Sequence, residues 1–239
     1  MSTQRATGKG NRTMGRKPGH GPAWEGRRQD VIDLAAELFA NKGYAGTGIA
    51  EIGRAVGLGT GALYYYIGSK ENLLIEIQER VMQPLLALAR RIAALDESPL
   101  LRLRLLSEAV LELIFERLDH IWVYEHDYRY LSGPSRAKII KRRHQFEDIV
   151  SGLFQEAIDN GELKNMDSKL AMLQFTNLHA HTYTWAASME GLKPADLSAS
   201  YCSTLFFGMA KASSDDDLEA EVKRFRKRYH GPSLSHTWR

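Results

Sequence analysis

One cysteine, Cys202, stands in 239 residues, so no disulfide can close within the chain and the fold must be held by its own packed core. Its apolar neighbours Tyr201, Leu205 and Phe206 point to a buried structural thiol rather than a reactive one. No apolar run approaches the roughly 20 residues needed to cross a bilayer. The opening MSTQRATGKGNRTMGRKPGHGP is polar, basic and glycine-rich, with no apolar stretch of the kind a secretory signal carries. No membrane role is expected, and a cytoplasmic location is. Sustained apolar/polar alternation is also missing, which removes the argument for a sheet. Neither a G-x-S-x-G elbow nor an H-E-x-x-H zinc motif occurs. His179 and His181 are two apart and so face different sides of a helix, a poor arrangement for chelation. No catalytic residue, metal or cofactor is expected.

Charge is scarce in sum but uneven in place. The net charge is only +3, yet Arg5, Lys9, Arg12, Arg16, Lys17, Arg27 and Arg28 crowd the start against Glu25. Residues 1–22 thus read as a basic, disordered arm suited to attracting phosphates, or as a solvated tail of the same composition. From Trp24 onward the apolar spacing is helical, and the chain reads as all-α. Val31, Leu34, Ala35, Leu38 and Phe39 form one helical face that Lys42 and Gly43 end. A short helix over 48–56 follows, with Thr47 at its N-cap. The break Gly57-Leu58-Gly59 leaves room only for a tight turn before a third helix over 60–67. Two short helices joined by a glycine turn are the helix-turn-helix pattern, whose second helix enters the major groove of DNA.

The stretch from Thr47 to Leu73, TGIAEIGRAVGLGTGALYYYIGSKENL, closely resembles the DNA-binding domain of the TetR family of repressors, and the match extends upstream through Arg28, Ala35, Ala36, Leu38, Phe39, Gly43 and Tyr44. The resemblance implies a helix-turn-helix domain over residues 23–70 that binds double-stranded operator DNA. It implies phosphate contacts from Thr47, Tyr64, Tyr65 and Lys70, and a recognition helix opening on Thr60, Gly61 and Ala62, whose small side chains allow close approach to base edges. Arg28, in the same match, is carried over as a DNA contact. Gly59 stands where serine is common and Ile67 where an aromatic is usual. No Arg, Asn or Gln lies on this helix for bidentate base contacts, so specificity is expected to lean on DNA shape, on Arg54 and on the arm.

Residues 71–212 read as a helical ligand-binding and dimerisation domain. Ser69 is expected to cap its first helix and Pro84 to kink or interrupt it. Further helices are expected over 100–119, 119–131, 135–160, 167–189 and 194–212, with a charged tail over 213–239 that includes the basic run from Lys223 to Arg228. Aromatics with polar tips gather in two segments, giving Trp122, Tyr124, Tyr128, Arg129, His179, Tyr183 and Trp185 as candidate effector residues, with Arg129 for an anionic end. The alternative is that these aromatics fill a core. The first segment loosely resembles TetR-family regulators of fatty-acid and steroid catabolism that sense acyl-CoA thioesters; a drug-sensing efflux regulator is the alternative. The function so implied is repression released by a small, largely apolar effector. A helix-turn-helix monomer reads few base pairs, so a homodimer is expected, with recognition helices about 34 Å or a multiple apart. Its interface is placed on the last two long helices, where Gly208, Ala210 and Ala212 permit close approach. Gly57 to Ala62 also fits a G-x-G-x-x-A dinucleotide fingerprint, which would make an NAD(P)- or flavin-dependent enzyme. That motif needs a preceding strand, and the residues before it are helical in period.

Overall fold

The computed structural model describes residues 21–209 and 215–234, so the basic arm, Ala210 and Ala212 lie outside the described residues. Among the described residues every regular element is helical. α1 (Pro22–Lys42), α2 (Ile49–Ala55) and α3 (Thr60–Ile67) make a small N-terminal unit around Val31, Ala35, Phe39, Ile52 and Leu63, each 0% exposed. The turn between α2 and α3 depends on two glycines. Gly57 adopts φ +69°, a left-handed value that suits only a residue without Cβ, and a Cβ on Gly53 would lie 2.7 Å from the Leu58 carbonyl oxygen. The Leu58 amide donates to the Gly53 carbonyl at 2.8 Å, and this close approach sets the angle between the two helices.

α4 (Lys70–Ala93) carries the chain into the second unit. The Ser69 hydroxyl accepts from the Asn72 amide at 3.0 Å and caps it, as the sequence indicates. The interruption expected at Pro84 does not occur: the helix runs on to Ala93. One missing amide is outweighed there by packing on both sides, since Leu74, Ile77, Ala89 and Ile92 are fully buried. α5 (Pro99–Glu116), α6 (Leu118–His126), α7 (Gly133–Asp159), α8 (Ser168–Ala180) and α9 (Pro194–Met209) complete a bundle in which α5 is central, packed on α4, α7 and α9. Two expected helices are shorter than read. A 3-10 turn, Asp127–Tyr130, follows α6, and two more, His181–Thr184 and Ala186–Ser188, replace the second half of the helix expected over 167–189. Thr184 and Ser188 donate their hydroxyls to the carbonyls of His181 and Trp185, an alternative to helix continuation that these residue types favour.

The charged tail is also revised. Residues 215–228 form α10 (Asp215–Arg228), whose Val222 and Phe225, 3% exposed, bury against the bundle. Arg226 pairs with Glu108 and Arg228 with Glu97, so part of the basic run is spent on the protein's own acids.

Beneath α10 a buried polar chain crosses the core. Arg104, 2% exposed, meets Glu219 of α10 at 2.7 Å, Glu108 at 2.9 Å and the Ser198 hydroxyl at 2.7 Å. Ser198 reaches Ser107 at 2.7 Å, and Ser107 reaches His179 Nε2 at 2.6 Å. The Phe175 carbonyl, 2.6 Å from His179 Nδ1, can only accept. His179 therefore keeps its proton on Nδ1, and every hydroxyl in the chain donates toward it: Arg104 to Ser198, Ser198 to Ser107, Ser107 to Nε2. Burial depresses the His179 pKa from 6.5 to about 4, against the opposing Phe175 hydrogen bond. Cys202, beside this chain, has its thiol pushed up to about 11 by burial and is inert, as its neighbours suggest.

A pH dependence follows. The unfolded histidine binds a proton below about 6.5 while the folded one does not until about 4, so stability falls as pH drops through that window, by up to about 3 kcal/mol. Chemical denaturation of the protein and of His179→Gln at intervals from pH 7.5 to 4.5 should show a flatter profile in the variant. Parallel profiles would assign the titration to other groups.

Candidate nucleic-acid interface and effector cavity

The recognition helix presents the surface its sequence implies. Thr60, Gly61, Ala62, Tyr64 and Tyr65 are exposed, with Tyr64 at 45% and Tyr65 at 63%, while Leu63 and Ile67 face the core. Gly59 is the N-cap and offers no side chain, so nothing bulky stands at the tip of the helix. Arg54 on α2 is exposed as well.

Three residues expected on DNA are otherwise engaged. The N-cap of α2 is Gly48, not Thr47; Thr47 is 1% exposed and its hydroxyl donates to the Gly43 carbonyl at 3.0 Å, tying down the loop that precedes α2. Arg28 lies 2.9 Å from Glu76 on α4 and across the Trp24 ring. The Lys70 ammonium donates to the Tyr44 carbonyl and sits 4.1 Å from the Tyr44 ring centre. Burial lowers the Lys70 pKa, with Asp127 opposing the shift. Arg28 and Lys70 are engaged by partners 48 and 26 residues away, which the local motif does not encode, whereas the partner of Thr47 lies four residues before it.

Two polar clasps join this unit to the bundle. Asp33 of α1 contacts Arg80 of α4 at 2.6 Å, Arg117 at 2.9 Å and His120 of α6 at 3.2 Å through one oxygen. Burial raises the Asp33 pKa, but the His120 hydrogen bond and the arginines outweigh it and hold the carboxyl below its usual value. The second clasp is Asp127, whose carboxylate accepts the Tyr44 amide at 3.2 Å, next to Lys70. Between α1 and α6 the seam opens into a charged cleft of about 610 Å³, walled by Asp30, Glu37 and Asp119 among others.

Inside the bundle lies a smaller cavity of about 140 Å³ between α4, α5, α6, α7 and α8. Its wall is mainly apolar, with Met82, Leu85, Leu113, Ile114, Phe146 and Phe175. Of the candidate effector residues it gathers Tyr124 and His179. The other five do not line it. Trp122 stacks on His126 at 4.2 Å with Tyr183 edge-on to the same imidazole, Trp185 packs against the core, and Arg129 is exposed beside Tyr130. Tyr128 lies outside it, under the Arg143 guanidinium at 5.3 Å. Packing of these rings on one another satisfied them without a ligand, which composition alone could not distinguish. The cation at the cavity is Arg143 of α7 rather than Arg129. Its Nε donates to the Tyr124 hydroxyl at 3.0 Å and its Nη2 lies 3.4 Å from Glu125. The sequence hides it in a run of five cationic side chains between Arg136 and Arg143, of which Lys138 and Arg142 turn to Glu79.

Comparison with known proteins agrees with this geometry. A family model described as "Bacterial regulatory proteins, tetR family" matches residues 31–77, and one described as "Tetracyclin repressor-like, C-terminal domain" matches residues 96–209. The HTH-type transcriptional repressor KstR2 of Rhodococcus jostii is 27% identical over 154 residues, 61% of this chain and 72% of its own length. The solved structure of the ketosteroid transcriptional regulator KstR2 of Mycobacterium tuberculosis superposes with TM-score 0.74 at 24% identity, over 78% of this chain and 96% of that one. AibR in complex with isovaleryl coenzyme A and operator DNA superposes with TM-score 0.68 at 24% identity, over 75% of this chain and 98% of that one. These two likenesses concern the fold. With a family model on each of its two units, the chain belongs to the TetR family of bacterial transcriptional regulators.

Proposed function

We propose that this regulator is a homodimeric, cytoplasmic repressor that leaves its operator when a small acyl thioester enters the bundle cavity. The observation that carries this reading is the position of α6. Within two turns that helix and the 3-10 turn after it place His120 on Asp33, Tyr124 in the cavity wall and Asp127 on the Tyr44 amide. An occupant that displaces Tyr124 thus acts on both clasps to the DNA-reading unit. A ligand shifts the protein only by binding one arrangement better than another, and a lever shared by cavity and joint supplies that difference. The relatives support the effector class: one neighbour of the same fold is described in complex with isovaleryl coenzyme A and operator DNA.

On the DNA side, Thr60, Gly61, Ala62, Tyr64, Tyr65 and Arg54 form the contact surface, while Arg28, Thr47 and Lys70 hold its supports. For the dimer, Leu170 (56% exposed) and Leu173 (44%) of α8 and Phe207 (36%) of α9 leave an apolar face open, and a second copy of this chain covers it. Gly208 beside Phe207 has open space at its Cβ and permits close helix approach.

Three outcomes are expected. Ala62→Leu weakens binding to operator at least tenfold while binding to unrelated DNA changes little, read by fluorescence anisotropy; equal losses on both would take Ala62 off the base-reading surface. Leu173→Glu shifts sedimentation from dimer to monomer and lowers operator affinity with it, whereas an unchanged dimer would move the interface elsewhere. Asp33→Asn uncouples the two sites: the ratio of operator affinities without and with effector falls several-fold toward one, while effector affinity measured without DNA changes less. A ratio equal to that of the unaltered protein would remove Asp33 from the coupling.

A further inference from the structure

The cavity also specifies what fits it. Its volume of about 140 Å³ is close to that of an apolar cavity of ~150 Å³ that accommodates one benzene ring, a body of six carbons. A steroid nucleus or a long acyl chain needs a site in the ~300–1,000 Å³ range usual for larger ligands. The polar groups are equally restrictive. His179 lines the cavity, but both its ring nitrogens are occupied, Nε2 by Ser107 and Nδ1 by the Phe175 carbonyl, so it offers only ring surface. The Thr176 hydroxyl donates to the Met172 carbonyl at 2.9 Å. Tyr124 differs. It is 5% exposed, its oxygen accepts from Arg143 Nε at 3.0 Å, and its own proton meets no acceptor among the described residues. A buried donor without an acceptor is a demand for one from the ligand. Burial pushes the Tyr124 pKa up to about 12, with Arg143 opposing, so that proton stays in place at neutral pH. Arg143 is itself balanced by Glu125, at 3.4 Å, and by the charge of Glu147, so the site suits a neutral oxygen better than a free carboxylate. Glu125, Arg143 and Glu147, half-buried, and the exposed Asn177 make the rim polar, where a hydrophilic carrier can lie outside.

We infer that the effector's buried part is a short acyl chain of about four to six carbons, and that Tyr124 donates its hydroxyl proton to the acyl carbonyl oxygen. Arg143 is the positioning residue: it holds the Tyr124 ring through its hydrogen bond and its place 4.8 Å over that ring, leaving the proton pointing to the ligand. The inference rests on the proposal that the cavity is the effector site and adds the length and the recognised atom. It also separates this protein from a steroid sensor, despite the similarity to regulators named for ketosteroids.

Isothermal titration of the full chain with butyryl-, isovaleryl-, hexanoyl- and decanoyl-CoA, a steroid-acyl CoA and free hexanoate, paired with operator release, tests the length rule. The four- to six-carbon thioesters should bind and release operator, with decanoyl, steroid and free-acid ligands at least tenfold weaker. Tightest binding by the decanoyl or steroid thioester would overturn the length rule and leave the acyl-responsive reading standing. No binding by any thioester, from protein that still binds operator, would overturn both. For Tyr124 the probe is S-hexyl-CoA, a thioether that lacks only the carbonyl oxygen. The unaltered protein should prefer hexanoyl-CoA to S-hexyl-CoA about tenfold, the worth of one buried hydrogen bond. Tyr124→Phe should bind the two alike, a loss of discrimination that mere loosening of the fold does not produce. Equal affinity for the pair in the unaltered protein, a measurement that needs no variant, would overturn the donor role.

Discussion

A single carboxylate, that of Asp33, balances three cationic or protonatable groups, Arg80 from α4 and Arg117 and His120 from the start of α6. Like charges do not converge on one point without such a centre, so the approach of α4 and α6 to α1 depends on it. The carboxylate is also 42% exposed, at the edge of a charged cleft, where water weakens its hold. On the proposed function, a joint built this way holds the DNA-reading unit in place yet can yield when an effector binds. A wholly apolar joint of the same area would be closer to rigid, because packed interiors respond to small shifts as a whole.

The bundle behind the joint has the opposite character. α5 is buried along nearly its whole length, and even its polar residues are paired: Arg102 with Glu156, Arg104 with Glu108 and Glu219, Ser107 with His179. Charges so placed give little net stability over an apolar core, but removing one partner leaves the other unsatisfied, at about 3–5 kcal/mol. The arrangement fixes geometry. It ties α9 and α10 to α5 and fixes both ring nitrogens of His179, which lines the cavity.

Function divides along the same line. On the proposed function, the DNA surface works through what is small or projecting: Gly61 and Ala62 leave room for approach, and the exposed Tyr64 and Tyr65 stand out from it. The proposed effector site works through a small, largely apolar cavity with one donor proton. α6 is the element common to both, since its His120 meets Asp33 at the joint while Ile121, Tyr124 and Glu125 line the cavity.

Local order was readable from the sequence because it depends on neighbours a few residues away. The helical period from Val31 to Phe39, the glycines of the turn, the Ser69 cap and the exposed start of the recognition helix are all of this kind, and the resemblance of residues 47–73 to a known DNA-binding domain rests on them. Where helices stop was less readable: Thr184 and Ser188 end a helix through hydroxyl bonds that compete with its own, and Val222 and Phe225 turn a charged tail into a packed helix. Of the seven candidate effector residues, only Tyr124 and His179 line the bundle cavity. Trp122 and Tyr183 found a common partner in His126, and the lining cation came from α7, because which of several aromatic or cationic side chains reaches a cavity is decided by how the helices pack. Arg28 and Lys70 are likewise engaged by groups distant in the chain, Glu76 and Tyr44, whereas Thr47 is held by the Gly43 carbonyl four residues before it. The sequence determined the helices and the DNA-reading motif through short-range spacing; the tertiary structure alone decided which charges meet, and so how the two units are joined and how large the bundle cavity is.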